Sequence, residues 1–195
     1  MKLTIIWEHD YNDKVKQIGS LNTYWKKRKQ YYQDITVYGH INLRERLFGG
    51  RTNNLFFHYK CKDDEILYYF DFTSLYPYVL VNRFYPIGHP KVITQDFEEI
   101  DRYFGFIKCI ILPPKKLYLP VLPVRINKKL YFPLCMVCAE NKVIESCSHG
   151  DTDRALVGTW TSMEIQKPLK CGYKIVRIIE VLHYEQKSST NALSV

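Results

Sequence analysis

The stretch DFTSLYP, residues 71–77, places a carboxylate, Asp71, at the end of an apolar run and follows it with a turn. Residues 65–72, EILYYFDF, are rich in aromatic and aliphatic side chains and lack Gly and Pro, which predicts a strand that ends near Asp71. Ser74 is suited to be the N-cap of a short helix, and Pro77 falls in its first turn, where the missing amide costs nothing. Asp71 is therefore either a helix cap, which is the commoner role, or a group with a chemical function.

The amino-acid composition provides enough apolar residues for a hydrophobic core and a positive net charge that favours polyanionic partners. The 195 residues are 46% apolar and 15% aromatic, enough for one ordinary domain or two small subdomains. The net charge of +8 favours nucleic acid over acidic proteins or anionic membranes as a partner. We find no apolar run of about 18 residues and no signal-peptide pattern in MKLTIIWEHD, so we expect no membrane partner and an intracellular location, the nucleus included.

Two segments before the DFTSLYP stretch carry weaker signals. Residues 24–32, YWKKRKQYY, interleave basic and aromatic side chains, which fits a solvated helix face and, less often, a nucleic-acid contact. Residues 47–54, LFGGRTNN, contain a glycine pair whose backbone can adopt positive φ and approach another surface closely. Such a loop is usually only a turn.

The region after residue 90 is predicted to be rich in strands and loops. Strands are expected at residues 104–112, 128–134 and 174–185. A helix is expected from Thr161, whose spacing to Glu164 fits a capping box, to Gly172. Pro168 falls inside that helix, at a cost of about 3 kcal/mol unless a kink is tolerated.

Four potential metal ligands follow, spaced C-x2-C-x8-C-x-H: Cys135, Cys138, Cys147 and His149. A two-residue knuckle lets paired thiolates reach one tetrahedral zinc ion. The alternative is a set of unlinked core cysteines, but the segment is too polar for a core, and the clustering favours zinc in a reducing compartment. Four protein ligands leave no open position for water, so we expect a structural role. The remaining cysteines, at positions 61, 109 and 171, are interpreted as small core residues.

DFTSLYP resembles the D-x-x-S-L-Y-P signature, motif A, of family B DNA polymerases. RERLFGGRTNNLFF, residues 44–57, resembles the Y-x-G-G region of the protein-primed branch, with Leu47 in place of the Tyr. YPIGHPKVI, LPPKKLYLPVLP and CSHGDTDRALVGTWTSMEI resemble segments of polymerases from virus-like Maverick or Polinton transposons. The resemblance covers about residues 40–185.

The resemblance implies a role for each matching residue. Asp71 would bind catalytic magnesium together with the carbonyl of Phe72, because strand-end carboxylates hold the metal ions of polymerases. Ser74 and Leu75 would contact the incoming deoxynucleotide triphosphate, and Tyr76 would lie under its sugar and exclude a 2′-hydroxyl. Gly49, Gly50 and Arg51 would touch the DNA template. A primer and a terminal priming protein are the other partners that it implies.

The fold expected from the resemblance is α+β. Residues 47–90 would form part of a polymerase palm, with antiparallel strands and a short helix after motif A. Residues 91–185 would form a β-rich, zinc-bearing insertion. Residues 1–46 would lead into the polymerase region, and residues 186–195 would be a disordered tail.

Residues 150–154 are similar in sequence to a second acidic signature of these polymerases, but their sequence context differs. GDTDR, residues 150–154, is similar to the Y-x-D-T-D of motif C, yet it follows a predicted zinc ligand in a polar loop, so we do not assign magnesium to Asp151 or Asp153. Motif C and the fingers motif are not found, so the sequence resembles a fragment that would not extend a primer alone. An exon, a decayed gene copy and a deliberately cut piece all fit this pattern.

Two other hypotheses remain open. A noncatalytic zinc module that binds nucleic acid or protein would retain the Cys/His cluster without needing Asp71. An inactive remnant would expose sheet edges and apolar surface, and would tend to aggregate.

Overall fold

A four-stranded antiparallel sheet organises the computed structural model, which describes residues 36–52, 54 and 56–188, together with residues 26, 29, 30, 33 and 34. The strand order in this sheet is β2, β7, β3, β6. Its strands are β2 (Lys91–Ile93), β3 (Gly105–Leu112), β6 (Leu156–Thr161) and β7 (Lys174–His183). The strands predicted at residues 104–112 and 174–185 are therefore confirmed.

Shorter elements surround the sheet. Two strand pairs accompany it: β1 (Tyr85–Ile87) with β8 (Gln186–Ser188), and β4 (Val124–Ile126) with β5 (Lys129–Tyr131). The helices for which the structure gives bounds are α1 (Leu75–Asn82), α2 (Met136–Asn141), α3 (Asp151–Arg154) and α4 (Ser162–Lys170), and 3-10 turns occupy Leu43–Glu45 and Ile100–Arg102. Residues 36–38 are also helical. The fold is α+β with antiparallel sheets, as expected. The predicted tail does not begin at residue 186, because β8 is paired there.

The core lies on one face of the sheet, under α4. Ile107, Cys109 and Ile111 alternate along β3 and are fully buried, as are Leu156 and Trp160 on β6. The Trp160 indole donates a 2.7 Å hydrogen bond to the Pro123 carbonyl, which ties the β3–β4 connection to the sheet. Gly158 is required beside this ring, since a Cβ there would lie 2.6 Å from its Cζ2 atom.

Helix α4 confirms the capping box and accommodates the internal proline. The Thr161 hydroxyl accepts from the Glu164 amide at 3.1 Å, and the Glu164 carboxylate accepts from the Thr161 amide at 2.9 Å. Pro168 lies inside the helix and is buried against the core. Burial of its ring offsets part of the hydrogen bond that its missing amide would have made.

A buried polar pair lies between β3 and β7. Lys108 is 1% exposed and Glu180, its cross-strand neighbour, is 3% exposed. The Lys108 ammonium donates to the carbonyls of Tyr38 and Gly39 at 2.5 Å each. Glu180 accepts from the Ile41 amide at 2.9 Å. The segment 38–41 is thereby pinned to the sheet.

Residues 56–84 do not join this core. None of them is buried, and residues 65–72, predicted as a strand, form neither helix nor strand. A strand needs a hydrogen-bonding neighbour, and none of the described residues supplies one here.

Several expectations lie wholly or partly outside the described residues. This group contains most of the basic segment 24–32 and the tail beyond residue 188. Among the helices of the described part of the chain, none has the length and apolar character needed to cross a membrane.

Candidate metal centre and motif A segment

The Cys/His cluster is assembled by a short helix and the loop that follows it. Cys135 is the N-cap of α2, and its sulfur accepts from the Cys138 amide at 3.4 Å, which is the local geometry of a two-residue knuckle. Lys142 ends the helix in a left-handed conformation and turns the chain back. The loop then returns Cys147 and His149 to the same place.

The distances within the cluster match one tetrahedral ion. All four candidate ligand atoms lie within 4.8 Å of one another. The His149 Nδ1 atom lies 3.6 Å from the Cys135 sulfur, 3.2 Å from that of Cys138 and 3.5 Å from that of Cys147. Zinc, with bonds of about 2.3 Å to sulfur and about 2.0 Å to nitrogen, holds such ligands roughly 3.5 Å apart. The four residues predicted from the sequence are thus brought together in a geometry compatible with zinc.

The thiols of the cluster differ in acidity before a metal ion binds. Hydrogen bonds to the backbone and ring of His149 lower the pKa of Cys147 to about 7. Burial raises the pKa of Cys138 to about 12, and hydrogen bonds with the two other thiols act in the same direction. Cys147 therefore supplies a thiolate near neutral pH, whereas a metal ion must displace the proton of Cys138.

Helix α3 joins the cluster to the sheet. The buried Arg154 donates hydrogen bonds of 2.8 Å to the carbonyls of both Pro113 and Pro114, just after β3. It also pairs with the exposed Asp151 at 3.3 Å. GDTDR therefore forms a one-turn helix beside the Cys/His cluster, a setting unlike a hairpin between two apolar strands.

The motif A segment presents its side chains to solvent. Asp71 and Ser74 are exposed, Leu75 is about half exposed, Phe72 is 77% exposed and Tyr76 is 85% exposed. The structure records no hydrogen bond or ion pair of the Asp71 carboxylate with any described residue. Among the described residues, the Cys/His cluster is the only group of three or more His, Cys, Asp or Glu side chains that could hold a metal ion. The described residues thus leave the Asp71 carboxylate accessible but do not complete a magnesium site of three such side chains around it.

One expectation at motif A is wrong in detail. Helix α1 does begin after Ser74 with Pro77 in its first turn, but Ser74 adopts a left-handed conformation, φ 58° and ψ 34°, and its side chain makes no capping hydrogen bond. An N-cap side chain reaches the first amides from an extended backbone, which Ser74 lacks. The helix start therefore keeps free amides.

Arg51, which follows the glycine pair, contacts residues on either side of the β4–β5 hairpin. Neither Gly49 nor Gly50 has a positive φ, and a Cβ at either would meet no atom within 4 Å, so neither approaches another surface closely here. The Arg51 guanidinium lies 3.9 Å from the centre of the Phe132 ring and donates to the Pro120 carbonyl. The predicted template contact of Arg51 therefore coincides with a structural contact.

Sequence reasoning missed two arginine anchors. The acidic neighbours of Arg154 resemble a catalytic motif and give no sign of its contacts, which are hydrogen bonds to the Pro113 and Pro114 carbonyls. Arg125 donates to the Leu47 carbonyl at 3.3 Å and lies 5.5 Å from the Phe48 ring. An arginine at the exposed position of a short strand carries no sequence signal for such a distant partner.

The three remaining cysteines were predicted to be small core residues. Cys109 is buried and Cys171 packs against the core as expected, whereas Cys61 belongs to neither the core nor the cluster.

Comparison with known proteins gives one match. The family model for DNA polymerase type B, organellar and viral, matches residues 16–192. No curated protein and no solved structure matches the chain.

Proposed function

The chain belongs to the organellar and viral family of type B DNA polymerases, and we propose that it supplies the motif A part of a protein-primed polymerase of the virus-like transposon type. Residues 47–90 would belong to the palm and residues 91–185 to a zinc-bearing insertion. Its partners would be DNA, deoxynucleotides and a terminal priming protein, and it would act inside the cell. The observation that carries the proposal is the family match, which spans both motif A and the Cys/His cluster.

Asp71 is proposed as the catalytic metal ligand of this part. Its carboxylate is exposed beside a helix start whose amides are free of a side-chain cap. Free amides at a helix start favour phosphate groups, and a neighbouring carboxylate favours a divalent cation. Magnesium would supply the charge that polarises the transferring phosphate. Phe72, Ser74, Leu75 and Tyr76 would contact the nucleotide, and Gly49, Gly50 and Arg51 the template.

The chain by itself is proposed to be inactive. Two-metal phosphoryl transfer needs carboxylates on both sides of the ions, and Asp71 would contribute only one of them. The exposed apolar side chains of residues 56–84 support the same view, because single domains rarely leave such a surface bare. The remaining palm strands would cover it and would bring the second acid.

The Cys/His cluster is proposed to have a structural zinc role. Four protein ligands would fill the shell of the ion, so the zinc would organise α2 and the following loop without taking part in the chemistry. The docking of α3 through Arg154 would then transmit that order to the end of β3.

A second candidate function is a noncatalytic zinc module that binds nucleic acid or a protein. The favouring observation is that the core and the cluster are built by residues 91–188 with little help from the motif A segment. In that case Asp71 would have no role in binding.

An experiment that adds the missing palm motifs distinguishes the polymerase function from the noncatalytic module. The chain would be joined to a segment that carries the fingers motif and motif C of a family member, and magnesium-dependent nucleotide incorporation would be measured. We expect incorporation that Asp71→Ala abolishes and that Asp64→Ala, a change of an equally exposed nearby acid, leaves intact. Incorporation that is insensitive to Asp71→Ala would refute the catalytic role. DNA binding without any incorporation would favour the noncatalytic module.

A further inference from the structure

The connection between β3 and β4 is a short basic and aromatic loop held at both ends. Residues 113–120 read PPKKLYLP and are called the PPKKLYLP loop here. At its start, Arg154 satisfies the carbonyls of Pro113 and Pro114. At its end, Arg51 donates to the carbonyl of Pro120.

Two further contacts hold the loop against the core. The Tyr173 hydroxyl accepts from the Val121 amide at 3.3 Å, just beyond the loop. Leu117 packs against the core from the middle of the loop. Three of the eight residues are prolines, whose fixed φ removes further freedom. The loop is therefore preorganised, and a partner that binds it orders few additional residues.

Apart from Leu117, the side chains between these anchors point to solvent. Lys115 and Lys116 are exposed, and no ion pair is recorded for either within the described part of the chain. Tyr118 is 99% exposed and Leu119 is 53% exposed. The two lysine ammonium groups are hydrated in solution. The Tyr118 ring, in contrast, is held in water by an anchored loop and gains no burial from folding. A planar partner that stacked on the Tyr118 ring would bury this exposed apolar surface.

We propose that the PPKKLYLP loop is a contact site for single-stranded nucleic acid. Tyr118 stacks on one base, while Lys115 and Lys116 neutralise neighbouring phosphates. The Cα atoms of residues 116 and 118 are at most about 7 Å apart along the chain, so an ammonium group and a ring can act on one nucleotide. Interleaved basic and aromatic side chains are the usual means by which proteins hold single strands without reading their sequence.

The chemistry of the loop selects a single strand over other polyanions. In a duplex the bases are stacked on one another, so Tyr118 could not reach a base face and only the lysines would contribute. An acidic protein would meet the same charges but would offer no planar surface to the ring. This inference rests on the proposed function only in that the partner is nucleic acid, and it adds a surface far in sequence from motif A.

Binding of a fluorescent mixed-sequence oligodeoxynucleotide to the full zinc-loaded chain tests the ring. We expect Tyr118→Ala to weaken single-strand binding about 5- to 150-fold and Tyr118→Phe to preserve it. Ile144→Ala is the matched control, because Ile144 is also 99% exposed but carries no aromatic ring. Equal affinities of the Tyr118→Ala and Ile144→Ala variants would overturn the proposal.

The salt dependence of the same binding tests the lysines. Lys116→Ala should reduce the slope of log affinity against log salt concentration by about 0.7, the value for one phosphate contact on a single strand. Lys91→Ala removes the same charge at the opposite end of the sheet, opposite His183, and should leave the slope unchanged. Equal slopes for the Lys116→Ala variant and the wild type would remove the lysines from the site.

Two further experiments, binding to a duplex and competition with another polyanion, identify the class of partner. An equal loss from Tyr118→Ala on a matched duplex would contradict base stacking. Displacement by polyglutamate as efficient as by an unlabelled oligonucleotide of equal charge would contradict nucleic acid as the partner. None of these readouts requires nucleotide incorporation, so a negative Asp71 result would refute the polymerase proposal while leaving the loop to be judged on binding alone.

Discussion

Lys108 on β3 lies across from Glu180 on β7, and the two buried side chains hold successive residues of one passing segment. Lys108 binds the carbonyls of residues 38 and 39, while Glu180 binds the amide of residue 41 and lies 3.2 Å from the His40 ring. A buried charge is tolerated only when its hydrogen-bonding capacity is met, and here the backbone meets it. The chain that leads to Gly49 and Gly50 is thereby fixed to the sheet.

The contribution of Lys108 to stability is expected to rise with pH. Burial lowers the pKa of Lys108 below 10.5, with the charge of Arg46 acting in the same direction and Glu180 opposing it. Between the lowered folded value and the ordinary unfolded value, the unfolded chain binds more protons, so the free energy of unfolding increases as pH rises through that window. Burial raises the pKa of Cys109 to about 12, which opposes this trend above about pH 9. The Lys108 contribution is therefore measured as the difference between the wild type and the Lys108→Met variant in urea denaturation from neutral pH to about 10.5.

The Lys108→Met variant should lose that part of the slope. Lys91→Met serves as its control, because Lys91 is exposed and should leave the pH dependence of the free energy of unfolding as in the wild type. The same slope in the wild type and the Lys108→Met variant would show that the ammonium is not desolvated in solution.

Arg154→Met is expected to destabilise the fold by about 3 kcal/mol, since it leaves the carbonyls of Pro113 and Pro114 without their donor. Asp151→Asn should lower the free energy of unfolding by less than about 1 kcal/mol, because the Asp151 carboxylate that pairs with Arg154 is exposed to solvent. Chemical denaturation of both variants measures the difference. Comparable losses would mean that the ion pair, and not the carbonyl contacts, makes Arg154 important.

Gly158→Ala is expected to destabilise the core by about 1–3 kcal/mol, because the added methyl group would overlap the Trp160 ring. Gly150→Ala is the matched change, since a Cβ there meets no atom within 4 Å and its φ of −69° suits any residue. Thermal unfolding followed by Trp fluorescence compares them. A Gly158→Ala variant as stable as Gly150→Ala would require the ring to have moved.

Cys135→Ser is expected to lower zinc content from one ion per chain and to loosen the segment 135–150, because metal binding and folding of such a site are one process. Cys61→Ser should leave the zinc content unchanged, since Cys61 lies outside the cluster. Elemental analysis together with amide hydrogen exchange reads both effects. Full zinc content in the Cys135→Ser variant would reject the four-ligand site.

What the sequence could predict depended on whether the signal was local. The capping box of Thr161 and Glu164, and the C-x2-C knuckle with its returning Cys and His, are specified by spacing over a few residues, and the structure contains both. The strand at residues 104–112 was also predictable, because its apolar pattern is complete in itself and its partners are present.

Features that depend on a distant partner were not predictable. Residues 65–72 have the composition of a strand, but composition does not supply the neighbouring strand that pairs with it. Ser74 has the right identity for a cap, yet its left-handed backbone decides otherwise. The contact of Arg51 with Phe132 joins residues 81 positions apart and leaves no pattern in either segment.

That contact connects the loop that contains Gly49 and Gly50 with the residues around the β4–β5 hairpin. In the proposed template role, a phosphate that drew the Arg51 guanidinium away from this region would have to break its contacts with the Phe132 ring and the Pro120 carbonyl. By linkage, a strand that bound only after this release would loosen the contacts of Arg51 with the ring and the carbonyl by the same factor by which those contacts weaken its binding.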